Sequence, residues 1–314
     1  MPRFHLADRP EAGVEVIELR TGAGLCLEVL RGRGLDLGRA TFSGVPLTWE
    51  NHGGWPHPAF YDSTAPDGFL RTAGGGLCMT CGLTAVGSAG EDEFGPAPLH
   101  GRIHHTPARN VSTRGEWIDG GRYVMEIRGE AAEESLFGHR LVLTRTLRAE
   151  LGTNAVEWFD TVENRGPRPA PHMLLYHCNL GYPLLSPATE LAFPSGRFVP
   201  RETGTPVDTC ASWQAPGDLE ERVYYHEALA TDPDGRAAVR LTHRAFPLPG
   251  RAAALRATLS WQTDTLPELV EWWMPGKGAH VLGIEPATCR VAGRAAERAA
   301  GRLVMLAPGE TRRY

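Results

Sequence analysis

The sequence predicts an all-β protein, a large antiparallel β-sandwich with few short helices. Short segments in which apolar and polar residues alternate, the period-two pattern of β-strands, recur along most of the chain. Glycine and proline together make up 62 of the 314 residues (37 Gly and 25 Pro). That content suits turns between many short strands and suits long helices poorly. The one stretch that favours a helix is AGRAAERAAG, residues 292–301.

The strand patterns form two groups, separated by a region rich in Gly, Pro and His. The first group includes LCLEVL (25–30) and LDLGRATFSG (35–44). Residues 51–121 predict loops, which often carry binding groups on a rigid scaffold. From residue 122 onward the strand patterns are RYVMEIRG, RLVLTRTL, AVEWFDTVEN, HMLLYHCNL, RVYYHEAL, AAVRLTHR, ALRATLSWQT, HVLGIEP and RLVMLAPGE. The last twelve residues predict a strand, a turn and the start of a return strand. We expect a single domain over residues 1–314.

Composition and charge argue against several classes of partner. The formal net charge is -5 and the pI is about 6.2, and no run of Lys and Arg suggests binding to nucleic acid. No apolar run approaches the roughly eighteen residues of a membrane span. The first residues, MPRFHLADRPEAG, lack the apolar core of a signal peptide, so we expect a cytoplasmic protein. Six cysteines in a chain of this length are expected to be reduced thiols.

The segment LHGRIHHTPA (99–108) contains His100, His104 and His105. They could supply a substrate contact through His100, or metal ligands. Histidines four residues apart align on a helix, and the prolines and glycine in and beside the segment argue against a helix. The CMTC pair at 78–81 has the spacing of half a zinc site, but no second half follows at a familiar spacing. We therefore predict no metal and no other cofactor.

Two further polar residues lie within apolar strand patterns. His177 comes near the end of HMLLYHCNL, just before a turn. It is either a core histidine bonded to a backbone carbonyl or a positioned functional group. Glu285 lies in HVLGIEPATC, where a buried carboxylate is costly unless it is paired or functional. Glu285 is either part of a structural ion pair or a catalytic base.

Aromatic and cationic side chains suggest ligand contacts. Trp272 and Trp273 are adjacent in EWWMPGKG, so in a strand they face opposite sides and at most one lines a cleft. An indole there could stack on the apolar face of a ring-shaped ligand. We assign this contact to Trp273, with core packing as the alternative. Arg71, in GFLRTAGGG, is a candidate donor to ligand hydroxyls, with a solvated arginine as the alternative.

Taken in order, several segments resemble motifs of the galactose mutarotase-like superfamily, and in particular its aldose 1-epimerase-like DUF4432 branch. The resemblance runs from about residue 25 to the end. It rests on FLRTAGGGLCMTCGL, LHGRIHHTPA, AVEWFDTVENRG, YHCNLGYPLL, VLGIEPATC and LAPGE. It implies the galactose mutarotase-like form of the β-sandwich and a small-molecule carbohydrate as the ligand.

The resemblance also implies an enzyme that interconverts the α and β anomers of a sugar without a cofactor. Glu285 would remove the proton of the anomeric hydroxyl and His177 would protonate the ring oxygen, so that the ring opens and closes again. His100 and Arg71 would bind the ring oxygen or neighbouring hydroxyls. For the acidic residue that such enzymes use to hold distal hydroxyls, we name Asp264 in WQTDT. Glutamate and histidine suit these roles because their ordinary pKa values, about 4.3 and about 6.5, permit proton transfer near neutral pH.

Some features depart from the family pattern and leave the sugar open. The His-Gly motif continues as RIHH, and YHCNL replaces the usual proline-aromatic continuation. No compact Arg/Lys cluster accompanies the site, which disfavours a phosphorylated sugar. The alternatives are a carbohydrate-binding protein without turnover, another isomerase or lyase of a sugar or sugar acid, and a metal-dependent hydrolase that uses residues 78–105.

Overall fold

Antiparallel β-strands dominate the structure, a computed structural model that describes residues 1–314 apart from the side chain of Arg9. The described residues form 22 β-strands and two short α-helices. The strands are β1 (Arg3–His5), β2 (Glu15–Arg20), β3 (Leu25–Leu30), β4 (Asp36–Phe42), β5 (Val45–Pro46), β6 (Met79–Leu83), β7 (Gly90–Asp92), β8 (Gly95–Ala97), β9 (Arg109–Ile118), β10 (Arg122–Glu134), β11 (Arg140–Glu150), β12 (Glu157–Asn164), β13 (Ala170–Leu180), β14 (Thr189–Ala192), β15 (Ser195–Pro200), β16 (Arg222–Leu229), β17 (Arg236–Leu248), β18 (Arg251–Gln262), β19 (Glu268–Met274), β20 (Val281–Ala287), β21 (Val304–Leu306) and β22 (Thr311–Arg313). The helices are α1 (Gly68–Thr72) and α2 (Arg294–Ala299), and 3₁₀ turns occur at Arg9–Glu11, Pro58–Phe60 and Ile103–His105.

The predicted all-β sandwich is confirmed, and so is the helix predicted within residues 292–301. The prediction of loops over residues 51–121 was wrong in part, because α1 and the four strands β6 to β9 lie there. The residues of β6 are all buried and do not alternate in polarity, so a period-two search misses this strand. Neither α-helix of the described residues is long enough to cross a membrane.

The strands pair into several antiparallel sheets. One five-stranded sheet has the order β1-β2-β3-β4-β5, and a second has the order β22-β12-β11-β10-β9. The seven-stranded sheet, called the central sheet below, has the order β15-β16-β19-β20-β13-β21, with β6 also paired to β13. A three-stranded sheet, β14-β17-β18, and the hairpin β7-β8 complete the set.

The two faces of the central sheet have different surroundings because neighbouring residues of a strand point to opposite sides. On one face, Tyr176 and Ile284 belong to the large apolar core shared with the other sheets, and this is called the core face. On the other face, Leu175 and Val270 belong to a second apolar cluster that also includes Phe69 of α1. This is called the covered face, because residues 51–77 and 84–108, together called the covering segment, pack over it.

A buried arginine fastens the covering segment to the first sheet. The side chain of Arg33 is fully buried, and its guanidinium donates hydrogen bonds to the backbone oxygens of Pro56 (2.5 Å) and Thr72 (2.7 Å). Both acceptors belong to the covering segment, so its irregular backbone has fixed partners at two points. The segment is therefore held against the central sheet by polar contacts as well as by the packing of Phe69.

A second buried arginine links three sheets through an ion-pair network. Arg145 on β11 donates to Asp160 on β12 (2.6 Å), to Asp36 on β4 (3.0 Å) and to Thr80 on β6 (2.8 Å). These side chains are at most 2% exposed. Burial raises the pKa of Asp36 to about 6, opposed by the Arg145 charge. The fifth member, His104, binds Asp36 through Nδ1 at 2.6 Å and ties the covering segment to the network.

We predict that Arg145→Met lowers the free energy of unfolding by about 3–5 kcal/mol, because Asp36 and Asp160 would remain buried without their cation. Urea unfolding measures the effect. The control is Arg148→Met, on the same strand, whose side chain is 52% exposed and paired with Glu126. Its loss should cost less than about 1 kcal/mol. Equal losses for the two variants would contradict a stabilising role of the buried network.

Candidate active site

His177 and Glu285 meet on the covered face of the central sheet. Strands β13 and β20 are antiparallel neighbours, and their register pairs Cys178 with Ile284. The adjacent residues, His177 and Glu285, therefore lie side by side on the opposite face. Nε2 of His177 is 3.0 Å from Oε1 of Glu285, and the two side chains are 8% and 3% exposed. The pair is thus an acid–base couple held at hydrogen-bond distance and largely shielded from water.

Gly283 provides the space for this pair. A Cβ atom at this position would lie 2.8 Å from Oε1 of Glu285, 2.9 Å from Cβ of Trp272 and 3.2 Å from Cε1 of His177. Any other residue would therefore displace the carboxylate or the imidazole. The glycine of VLGIEP was not among the predicted site residues, and the only signal in the sequence is its place two residues before Glu285 inside a strand, where glycine often marks a close approach.

His100 reaches the pair from the covering segment. The centroids of the His100 and His177 rings are 5.9 Å apart, and Phe69 packs on His100 at 5.1 Å. The backbone of His100 has φ +55°, a left-handed conformation that is uncommon for a residue with a side chain. Hydrogen bonds fix it there, since its N–H donates to Gly87 O (2.9 Å) and its carbonyl accepts from Gly82 N (3.1 Å). This strained backbone holds the imidazole beside His177.

Burial sets the charge state of these three groups. It raises the pKa of Glu285 to about 8, against the opposing charge of Arg201. It lowers the pKa of His177 to about 3, with a further contribution from His100, and it lowers the pKa of His100 to about 4. At neutral pH the His177–Glu285 pair therefore holds one proton, with both groups uncharged.

Trp272, not Trp273, is the tryptophan of the site, and the assignment of Trp273 was wrong. The Trp272 indole meets the His177 ring edge to face, with a centroid distance of 5.4 Å and an interplanar angle of 69°, and the centroids of Trp272 and Trp49 are 6.2 Å apart. Trp273 is fully buried on the core face, where Nε1 donates to Ser212 O (3.1 Å). The sequence shows that the two residues face opposite sides of a strand, but only the sheet order shows which of them faces the core and which faces the site.

The structure does not bring Arg71 or Asp264 to the pair. Arg71 lies on α1 rather than on a strand, its side chain is 74% exposed, and its guanidinium binds Asp67 one helical turn away. Asp264 is exposed in the turn between β18 and β19. That turn precedes β19, and Val270, the β19 partner of Glu285, lies six residues further along the chain. Both assignments are corrected, since each of these side chains points to solvent.

Arg201 and Glu221 lie near the pair and were not predicted from the sequence. The Arg201 charge lowers the pKa of both Glu285 and His100, and the Glu221 charge raises that of Glu285. Glu221 also accepts a hydrogen bond from Nε1 of Trp272 (2.9 Å). Both residues flank β15 and β16 in ordinary polar surroundings, RETGTP and LEERV, so local sequence carries no signal for them.

A second His–Glu pair occupies the core face. Nε2 of His226 is 3.1 Å from Oε2 of Glu271, and neither side chain is exposed. Ser195 Oγ binds Nδ1 of His226 (2.7 Å), and the rings of Phe193 and Phe198 pack on the imidazole at 4.5 and 4.7 Å. This pair is enclosed by the core, so it supports the sheet rather than facing the site.

The other residues considered for metal binding have structural contacts. His105 stacks on Tyr61 at a centroid distance of 3.8 Å and bonds Thr72 Oγ1 (2.8 Å). Cys78 faces the large core and Cys81 faces the covered side, as expected for a strand. Among the described side chains, no group of three His, Cys, Asp or Glu residues has an arrangement that could hold a metal ion.

A family model described as Domain of unknown function (DUF4432) matches residues 11–314. The chain therefore belongs to the DUF4432 family, and the resemblance found in the sequence is confirmed. No functionally curated protein matches the sequence.

Several solved structures share the fold of this chain. A candidate aldose 1-epimerase from Klebsiella pneumoniae subsp. pneumoniae superposes with a TM-score of 0.88 at 22% identity, covering 99% of this chain and 80% of that one. A galactose mutarotase-like protein from Clostridium acetobutylicum gives 0.56 at 14% identity (96% and 93% covered). Galactose 1-epimerase from Lactobacillus acidophilus gives 0.53 at 11% identity (99% and 96% covered). At these identities the likeness establishes the galactose mutarotase-like fold.

We predict that Gly283→Ala separates His177 from Glu285 without unfolding the protein, because the new methyl group would lie 2.8 Å from Oε1 of Glu285, too close for van der Waals contact. A crystal structure of the variant should show Nε2 and Oε1 beyond hydrogen-bond distance. Gly196→Ala on β15 is the control, since its Cβ would have its nearest neighbour at 3.6 Å. An unchanged pair in Gly283→Ala would show that the glycine is not needed for this geometry.

Proposed function

We propose that this protein is an aldose 1-epimerase-like mutarotase that interconverts the α and β anomers of a sugar, with Glu285 as the base and His177 as the acid. The observation that carries the proposal is the shielded contact of 3.0 Å between these two side chains. The names of two structural relatives, a candidate aldose 1-epimerase and a galactose mutarotase-like protein, agree with it. Catalysis of this kind needs neither a metal nor a redox cofactor.

The geometry suits the ring-opening step. In a cyclic sugar, the anomeric hydroxyl and the ring oxygen are bonded to the same carbon. An acid and a base one hydrogen bond apart can therefore face both oxygens at once. Glu285 takes the hydroxyl proton as the bond between the anomeric carbon and the ring oxygen breaks, and His177 gives a proton to that oxygen. Rotation of the free aldehyde and the reverse transfer close the ring as the other anomer.

The single proton of the pair supplies this chemistry. With both groups neutral, the proton lies on Glu285. Its transfer to His177 creates an imidazolium acid and a carboxylate base without any exchange with solvent. The reaction returns the pair to its starting state because one proton is accepted and one donated in each turnover. Burial makes the charged form of the pair costly, so hydroxyl groups of the bound sugar are needed to stabilise it.

Two neighbouring groups would bind the sugar. His100, which faces His177, would hydrogen-bond the ring oxygen or an adjacent hydroxyl. Trp272 would pack against the apolar C–H face of the ring, a contact favoured by the size and quadrupole of the indole. Trp272 and Trp49 are both partly exposed, so they mark the side from which a small carbohydrate would enter.

The decisive experiment is anomer exchange measured by NMR saturation transfer on a panel of aldoses, deoxy sugars and uronic acids. We expect the wild-type protein to accelerate exchange of at least one sugar. Glu285→Gln and His177→Asn should each reduce the rate by about 10²–10⁴-fold, the usual worth of a general acid or base.

Glu268→Gln is the matched control, because Glu268 is the first residue of β19, at the end away from Trp272, and pairs with Arg290. It should leave the rate unchanged. If the wild-type protein binds a sugar but accelerates no exchange, the mutarotase proposal fails and a carbohydrate-binding role takes its place.

The pH dependence should reveal the shifted pair. Below a pH of about 8 the pair keeps its proton, and above it the proton on Glu285 is lost and no acid remains. We therefore expect kcat/KM to be level around neutral pH and to fall about tenfold per pH unit well above 8. Because burial lowers the pKa of His177 to about 3, activity should persist below pH 6. A fall in kcat/KM centred near pH 6.5 would instead indicate a histidine with an ordinary pKa.

A further inference from the structure

We propose that Arg201 is a positioning residue for Glu285 and that, through Glu221, it also fixes Trp272 beside His177. This inference rests on the proposed roles of His177 and Glu285. It gives a function to the charged groups at the rim of the site, which neither the family description nor the mutarotase step assigns.

The backbone fixes the place of Arg201. It follows directly after β15, and its N–H donates to Val223 O on β16 (2.8 Å). Val223 is paired with Trp272 on β19, and Trp272 with Gly283 on β20. Residues paired directly across antiparallel strands point to the same face. Arg201 therefore lies on the covered face, in the row that reaches Gly283, two residues before Glu285 on β20.

The side chains form a continuous set of contacts along this row. The Arg201 guanidinium, whose side chain is 33% exposed, binds Glu202 and lies 3.5 Å from Oε1 of Glu221. The other oxygen of Glu221 accepts the Nε1 hydrogen bond of Trp272 (2.9 Å). Trp272 in turn packs edge to face on His177. Loss of Arg201 would free Glu221 and, through it, the indole.

Arginine suits the electrostatic part of this role. The titratable and charged groups around the pair are His100, His104, Cys81, Arg201, Glu221 and Glu271. Arg201 is the arginine of this set, and it keeps its charge at any working pH. It can therefore favour the ionised form of Glu285 without competing as a proton donor. Glu221 acts in the opposite direction, so the two residues set the charge state of the base between them.

Opposite charge changes should have opposite effects. We expect Arg201→Met to raise the pKa of Glu285 by about 1 unit, because an attractive charge is lost, and Glu221→Gln to lower it. Arg201→Lys keeps the charge and should leave the pKa of Glu285 near the wild-type value. The measurement is a ¹³C NMR titration of the Glu285 carboxyl group, assigned by its absence in Glu285→Gln, and it requires no substrate.

The indole contact gives a second measurement. The Nε1–H resonance of Trp272, assigned with Trp272→Phe, should shift in Arg201→Met and in Glu221→Gln. Arg197→Met is the control, since Arg197 lies on β15 and pairs with Glu227 in a similar, exposed ion pair (69% side-chain exposure). It should change neither the Trp272 resonance nor the pKa of Glu285.

The results separate this inference from the proposed function. If the protein is a mutarotase, the alkaline fall of kcat/KM should move with the pKa of Glu285, and Arg201→Met should lose about tenfold in kcat/KM at neutral pH, the equivalent of one pKa unit. Shifts in the NMR titration without any anomer exchange in the wild-type protein would retain the role of Arg201 and reject the mutarotase. Two outcomes would overturn the inference. In the first, the pKa of Glu285 is the same in Arg201→Met as in Arg197→Met. In the second, the pKa of Glu285 moves in the same direction in Arg201→Met and in Glu221→Gln.

Discussion

The antiparallel pairing of β13, β20 and β19 is the constraint on which the site depends. Its register places His177 beside Glu285 and turns Trp272 towards them. The same register sends Ile284 and Trp273 into the core. Because side chains alternate along a strand, a slip of one residue between β13 and β20 would bury the wrong set. The apolar core therefore specifies the position of the His177–Glu285 pair, since the residues that fill the core and those that form the candidate site alternate on the same strands.

Burial gives the pair its chemical character. The covering segment shields the two side chains from water, and low exposure disfavours both the carboxylate and the imidazolium. A buried polar group is tolerated when it has a partner, and here each group is the partner of the other. Two charged residues at the edge of the site then adjust the pKa of Glu285, which the Arg201 cation lowers and the Glu221 anion raises. A reaction that moves one proton within the pair must pass between the neutral pair and the carboxylate–imidazolium pair. It is fastest when neither of these two states is much more stable than the other.

Among the described side chains, three buried contacts join a histidine to a carboxylate, and their surroundings separate their roles. His104 binds Asp36 within the Arg145 network, and His226 binds Glu271 between phenylalanine rings. Both contacts belong to the core that joins the sheets. Only the contact on the covered face is bordered by partly exposed tryptophans and a charged rim. The residue types in such a contact are therefore not enough to identify a candidate site. The face of the sheet on which the contact lies distinguishes the candidate site from the core contacts.

The sequence by itself determined the fold class, because alternation, glycine and proline content and the lack of long helical patterns are local properties. It also singled out three residues that the structure brings together in the candidate site, since polar residues inside apolar strand patterns, as at Glu285, or in motifs such as the one at His100, stand out locally. It could not determine the contact of 3.0 Å between His177 and Glu285, that Trp272 rather than Trp273 faces this pair, or that Arg201 lies near it. These depend on which strands become neighbours and which sheet face is covered, and pairing between strands distant in sequence is a property of the folded chain alone.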